Sequence, residues 1–277
     1  MFDTGNIFNT IFLIPILNIL LAIYKFLLIL KIPGALGFSL ILLTVLIRLI
    51  LHPLTVTQLR SAYKLNKLKP ELDNLSKKFK GDKVKLQQEQ LKLYQQAGIN
   101  PAAGCLPLLL QMPILIALYN LFFKLLSNGN ITQVVEGINK VVYYPFFKIT
   151  SLELTFLGMN LAHKPSEWQK LGWWLLLVPV VTALLQYWQT KMMTPKSTAS
   201  PVKKEIQVNN QKKETNEDMG TMMQKQMSFM MPLMIGFFAY SFPLGLALYW
   251  NTFTIFGIIQ QNQLNKHFEK ENGTNKK

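Results

Sequence analysis

A chain of 277 residues, half of them hydrophobic, carries a formal net charge of +15. Apolar runs too long for a soluble basic domain, with lysine in excess between them, point to an integral membrane protein and away from a sequence-specific nucleic-acid binder. The single cysteine, Cys105, excludes an internal disulfide, and three scattered histidines with no HExxH, paired-cysteine, GxSxG or phosphate-loop pattern give no basis for an enzyme, a metal or a cofactor.

Spanning hydrocarbon takes about 20 residues of helix. The first candidate, Ile7 to Leu30, has that length, but Asn9, Pro15, Asn18 and Lys25 interrupt it. No basic n-region precedes it and no small-residue cleavage site ends it, so a cleaved signal peptide is not expected. Two readings stand. As a span it needs its N-terminus inside, yet residues 1–6 contain Asp3 and no lysine or arginine. Lying along the outer interface costs nothing in charge, and residues 1–33 are assigned to such an interfacial helix.

The first core span is expected over 34–56, around the apolar tract Leu36 to Leu54. Residues 57–100 then read as a cytoplasmic basic hairpin of two helices. Leu65, Leu68, Leu72, Leu75 and Phe79 recur at helical spacing, as do Val84, Gln87, Leu91 and Tyr94, and Lys80 to Lys83 supply the turn. Pro70 should kink the first of these helices or shift its start. A second span covers 101–126, an outer segment 127–170, and a third span 171–190. A flexible Ser/Thr/Pro/Lys-rich linker follows at 191–225. The apolar tract of 226–262 divides at Phe242-Pro243-Leu244-Gly245, a turn signal that makes it two antiparallel spans. Residues 263–277 form a short basic tail, expected to be unstructured after Lys266.

Charge orients these elements. Gln58 to Asn100 holds ten basic and four acidic residues, Lys191 to Lys225 seven and four, and the tail from Gln263 four and two, against four and three in Ser127 to Lys170. The three lysine-rich segments belong on the cytoplasmic side, with the N-terminus outside and the C-terminus inside. The fold class is therefore an all-α polytopic membrane protein: five transmembrane helices, a cytoplasmic helical hairpin and an N-terminal interfacial helix.

Arg48 is the residue this arrangement has to explain. No span contains Asp or Glu, which argues against a proton- or cation-coupled carrier and leaves Arg48 without an anionic side chain to pair with. One reading is snorkelling, since His52-Pro53 marks the cytoplasmic end about one turn away. The other is a hydrophilic groove in which the cation attracts an anionic or polar guest. Thr44 shares its face. Gln111, Gln186, Gln189, Tyr249, Asn251 and Gln260 offer further polar groups, although interhelical hydrogen bonding accounts for each taken singly. The methionines Met219 to Met234 fit core packing or an adaptable apolar contact surface.

Several motifs in order carry a resemblance. Gly104-Cys105-Leu106-Pro107-Leu108-Leu109-Leu110-Gln111-Met112-Pro113-Ile114, Thr44-Val45-Leu46-Ile47-Arg48 with Pro53-Leu54-Thr55, and Phe242-Pro243-Leu244-Gly245-Leu246-Ala247-Leu248-Tyr249-Trp250 with Ile259-Gln260-Gln261 resemble the YidC family of membrane-protein insertases, in its short form without a large outer domain. The resemblance implies a five-helix core whose groove opens to cytoplasm and lipid. In it Arg48, Thr44, Gln111, Gln189, Tyr249 and Trp250 would line the groove. Met112, Pro113, Met230, Met231 and Pro232 would form an apolar slide, and Lys77, Lys78, Lys80, Lys83 and Lys85 a recruiting hairpin. The implied function is insertion and chaperoning of nascent membrane proteins in the plasma membrane, with the lipid bilayer, the ribosome and the Sec translocon as partners. A small-solute transporter or channel is the alternative.

Overall fold

The computed structural model describes residues 5–79, 81–98, 106–127, 131–193 and 219–274. It opens with a π-helical turn, Asn9–Leu13, running into α1, Ile14–Ile29. Pro15 has no amide to donate to the preceding turn, and the chain takes up the wider bonding just ahead of it. Lys31 and Gly34, both at positive φ, reverse the chain into α2, Ala35–Ile50.

Helix α2 is shorter than the span expected over 34–56. It ends at Leu51, where the axis turns by 65° into α3, His52–Lys78. The cause is Pro53, whose ring lacks an amide and crowds the carbonyl four residues back. Pro70, where a kink was expected, lies within α3, which continues as one helix to Lys78. The Asp82 carboxylate caps α4, Lys83–Gln96, by accepting from the Lys85 amide at 2.9 Å. α3 and α4 pack against each other. Lys80 lies outside the described residues.

Helix α5, Leu106–Ser127, is followed by α6, Ile131–Asn139, which buries Val134, Val135 and Ile138 on one face. A two-residue hairpin follows, β1 Thr155–Phe156 antiparallel to β2 Met159–Asn160, with Phe156 opposite Met159. Short turns and α7, Trp168–Leu171, precede α8, Leu177–Met193. α9, Met219–Ser241, packs along α8, and Phe242-Pro243 turn the chain into α10, Leu244–Thr274.

Residues 131–170 fold as a cap on the helices. Ile149, Leu152, Leu154, Phe156, Leu161 and Ala162 are buried in one core with α1, α2, α5 and the start of α10. The buried Asn18 amide ties α1 to it, donating to the Val141 carbonyl at 3.1 Å and accepting from the Tyr143 amide at 2.7 Å. The Tyr24 hydroxyl accepts from the Glu153 amide. At its far end, the Leu244 and Gly245 amides that open α10 donate to the His163 and Leu161 carbonyls, each at 2.8 Å.

The C-terminal residues depart from the expected unstructured tail. α10 stays helical to Thr274 because Phe268, 2% exposed, packs on α3 with its ring 5.5 Å from that of Tyr63 and near the Arg60 guanidinium. At 1.5 Å per residue a helix of this length exceeds the roughly 30 Å hydrocarbon layer by about three turns.

By length and composition, one continuous run among the described residues, Asn9–Ile29, suffices to cross a bilayer; Ala35–Ile50 with His52–Leu68 qualifies as a bent pair. Met112–Phe123 and Phe229–Ser241 are shorter apolar helices.

Candidate polar site between α2, α8 and α10

Three helices meet around Arg48. α2 packs on α10, and α10 on α8. A helical side chain leans back toward its own N-terminus, so Arg48 points away from the His52 end and crosses to α10. Its Nη2 donates to the Phe253 carbonyl at 2.6 Å, and its Cζ stands over the Phe253 ring, 3.4 Å from the centroid. The guanidinium finds its partner inside the protein, and snorkelling toward headgroups does not describe this geometry. Only 6% of Arg48 is exposed.

Gly257, which no sequence argument singled out, makes room for this. A Cβ there would stand 2.5 Å from Gln189 Nε2 and 2.6 Å from Arg48 Nη2. The helix backbone at Gly257 is therefore the floor on which the guanidinium and the Gln189 amide meet. Arg48 from the first core helix and Gln189 from α8 come together at a residue without a side chain.

Other polar residues lie on the same three helices and at the α2–α3 elbow. Thr44, fully buried, donates its hydroxyl to the Leu40 carbonyl at 2.6 Å, as a helical threonine does when no outside partner is offered. Tyr249 is fully buried, its ring 6.2 Å from that of Phe253. Trp250 donates its indole N–H to Gln186 Oε1 at 3.2 Å, joining α10 to α8. Gln260 Nε2 and His52 Nδ1 lie 2.9 Å apart, tying α10 to the elbow between α2 and α3.

Three buried side-chain atoms have no hydrogen-bond partner among the described residues: Arg48 Nε, Asn251 Oδ1 and Gln260 Oε1. Unmet polar atoms are costly in an apolar interior, roughly 1–3 kcal/mol each. Among the described residues no group of His, Cys, Asp or Glu could hold a metal ion.

The other expected site residues lie elsewhere. Met112 and Met230 are exposed, on α5 and α9, Met231 and Pro113 are half-buried, and Pro232 is buried. Lys77, Lys78 and Lys85 flank the α3–α4 turn, whereas the side chains of Gln111 and Lys83, like the whole of Lys80, lie outside the described residues. Phe253 and Gly257 were missed because an apolar ring and a glycine in an apolar helix carry no polar signal.

Residues 28–271 match the family model described as "60Kd inner membrane protein". The chain is 30% identical over 272 residues to "Membrane protein insertase YidC" of Oceanobacillus iheyensis, covering 95% of this chain and 86% of that one. It is 31% identical over 248 residues to "Inner membrane protein ALBINO3, chloroplastic" of Arabidopsis thaliana, covering 85% of this chain and 47% of that one, so it spans about half the length of that relative. A solved structure titled "Active YidC insertase crystal structure with the first transmembrane domain resolved" aligns with 86% of this chain and 44% of that one, at 24% identity and TM-score 0.49. A match running from residue 28 to 271 establishes that the chain belongs to the 60Kd inner membrane protein family, as a bacterial YidC-type member.

Proposed function

We propose that this protein is a membrane-protein insertase and chaperone, not an enzyme, that receives the polar segment of a nascent membrane protein at Arg48 and releases its apolar helix into the bilayer. The observation that carries the reading is a buried guanidinium with no acidic partner among the described residues, its Nη2 on the Phe253 carbonyl, its Cζ over the Phe253 ring and its Nε unmet. Moving a polar segment through bare hydrocarbon leaves each backbone group unsatisfied, at several kcal/mol apiece. A polar seam reaching partway across shortens that dry path, and the cation draws acidic residues of the client.

In this reading α2, α5, α8, α9 and α10 form the five-helix core, and α3–α4 a lysine-bearing cytoplasmic hairpin that recruits clients. The exposed Met112 and Met230 belong to the surface along which the client helix slides. Nascent chains and lipid are the partners, with the ribosome and the Sec translocon as neighbours in the cell. α1 lies along the outer interface with the N-terminus outside. Although Asn9–Ile29 has the length of a span, Asn18 and Tyr24 bind the outer cap at two points along it, which favours a helix laid against that face.

The test is a photo-crosslinking amino acid at position 44, one helical turn from an intact Arg48, in membranes synthesising a single-span client. Crosslinks to the client's polar segment are expected, with insertion reduced in Arg48→Ala and largely kept in Arg48→Lys. No crosslinks, together with undiminished insertion by Arg48→Ala, would sink the assignment. Flux of a small solute through purified protein in liposomes would move it to a transporter or channel.

A further inference from the structure

The β1–β2 hairpin ends in an unusual residue. Leu157 and Gly158 occupy the two-residue turn with φ of +49° and +78°. A turn needing positive φ at both positions usually takes Asn, Asp or Gly first, because a Cβ crowds the following carbonyl. Leucine gains nothing locally from that conformation, and it is 75% exposed. An outlier of this kind points to a use outside the chain's own fold.

Its surroundings say what that use is. The preceding residue, Phe156, is buried over Gly34 and Gly37, where a Cβ on Gly37 would stand 2.1 Å from its ring. Phe156 also stands edge-on to Phe38, with centroids 5.2 Å apart. Phe38 begins the exposed apolar stripe of α2, which continues through Leu42, Leu46, Leu49 and Ile50. The hairpin is thus wedged against the Ala35 end of that exposed stripe, with Leu157 bare at its tip. No charged residue occurs from Leu154 to Ala162.

We propose that the Thr155–Asn160 hairpin is an outer-leaflet anchor, with Leu157 seated at the boundary between phospholipid headgroups and acyl chains. The leucine fastens the cap to the bilayer, and through Phe156 it sets the depth of α2 and hence of Arg48. This rests on the proposed insertase topology, in which α2 crosses the bilayer with Ala35 outside.

The test uses the full chain in phosphatidylethanolamine–phosphatidylglycerol vesicles, with Cys105→Ser as background and nitroxide labels at Leu157→Cys, Leu46→Cys and Lys85→Cys. Collisions with oxygen, which partitions into lipid, are compared with collisions with a water-soluble nickel chelate. Leu157→Cys is expected to favour oxygen several-fold, as Leu46→Cys does, while Lys85→Cys favours nickel. If position 157 favours nickel while 46 favours oxygen, the anchor is refuted and the spanning helix stands. If 46 also favours nickel, the topology fails and the anchor with it. A label at 157 shielded from both reagents is covered by protein, which likewise refutes a lipid anchor.

Discussion

Phe253 meets Arg48 twice, with its carbonyl 2.6 Å from Nη2 and its ring centroid 3.4 Å from Cζ. The two contacts separate by mutation. Phe253→Leu removes the ring and keeps the carbonyl, so it should lose the cation–π share, about 0.5–2 kcal/mol. A lowered Tm in detergent with client insertion retained is the expected result. An unchanged Tm would mean that the ring contributes nothing.

Gly257→Ala should act as strongly on insertion as Arg48→Ala. The added methyl would stand 2.6 Å from Nη2 and 2.5 Å from the Gln189 amide nitrogen, so both side-chain ends must shift. Alanine favours helix over glycine by about 1 kcal/mol, and stability should not fall in step with activity. The double variant Arg48→Ala with Gly257→Ala should insert no more slowly than either alone, because both remove the same contact. Additive losses in a reconstituted insertion assay would separate the two residues.

Asn18→Leu should loosen the cap from α1. It leaves the Val141 carbonyl and the Tyr143 amide without their bonds, at roughly 1–3 kcal/mol for each group that stays buried. Hydrogen exchange at the Tyr143 amide should speed by one to two orders of magnitude, while the amides of α9 keep their rates.

The hairpin should weaken in alkali. Burial raises the pKa of the Tyr94 phenol above its ordinary value of 10.0. The unfolded chain therefore loses this proton at lower pH than the folded one, and the native state binds more protons between the two values. Stability from this source is full below pH 10 and declines as pH rises through the folded pKa. Helicity followed through that range should fall less steeply in Tyr94→Phe.

The helical class was legible because it rests on apolar length and helical spacing. The structure ends α3 at Lys78, starts α4 at Lys83 and turns the chain at Phe242-Pro243, where local chemistry favours a break. Pro70 and Pro53 look alike in sequence, but α3 runs on through Pro70 while the axis breaks ahead of Pro53. Phe268 shows a different limit: amid polar neighbours one aromatic looks incidental, and only α3 beside it makes it a buried contact.

The site divides along the same line. Arg48 was conspicuous as a charge in an apolar run, and Gln189 as an amide in another. What joins them, the absent side chain of Gly257, exists only once α10 is packed between their helices. The outer segment was illegible for a related reason. Its buried residues are spread over short turns, where no period survives for a pattern to be read.

The cap's grip on the start of α10 bears on the membrane's electrical field. With the Leu244 and Gly245 amides bound to the His163 and Leu161 carbonyls, the positive end of that helix offers neither water nor anions a way in from outside. In the proposed orientation the voltage then drops mainly across the layer between this plug and Arg48. Each elementary charge crossing 100 mV gains or loses about 2.3 kcal/mol. A client's carboxylate held at Arg48 would still have most of that drop ahead of it, and a cell interior at negative potential would push it outward.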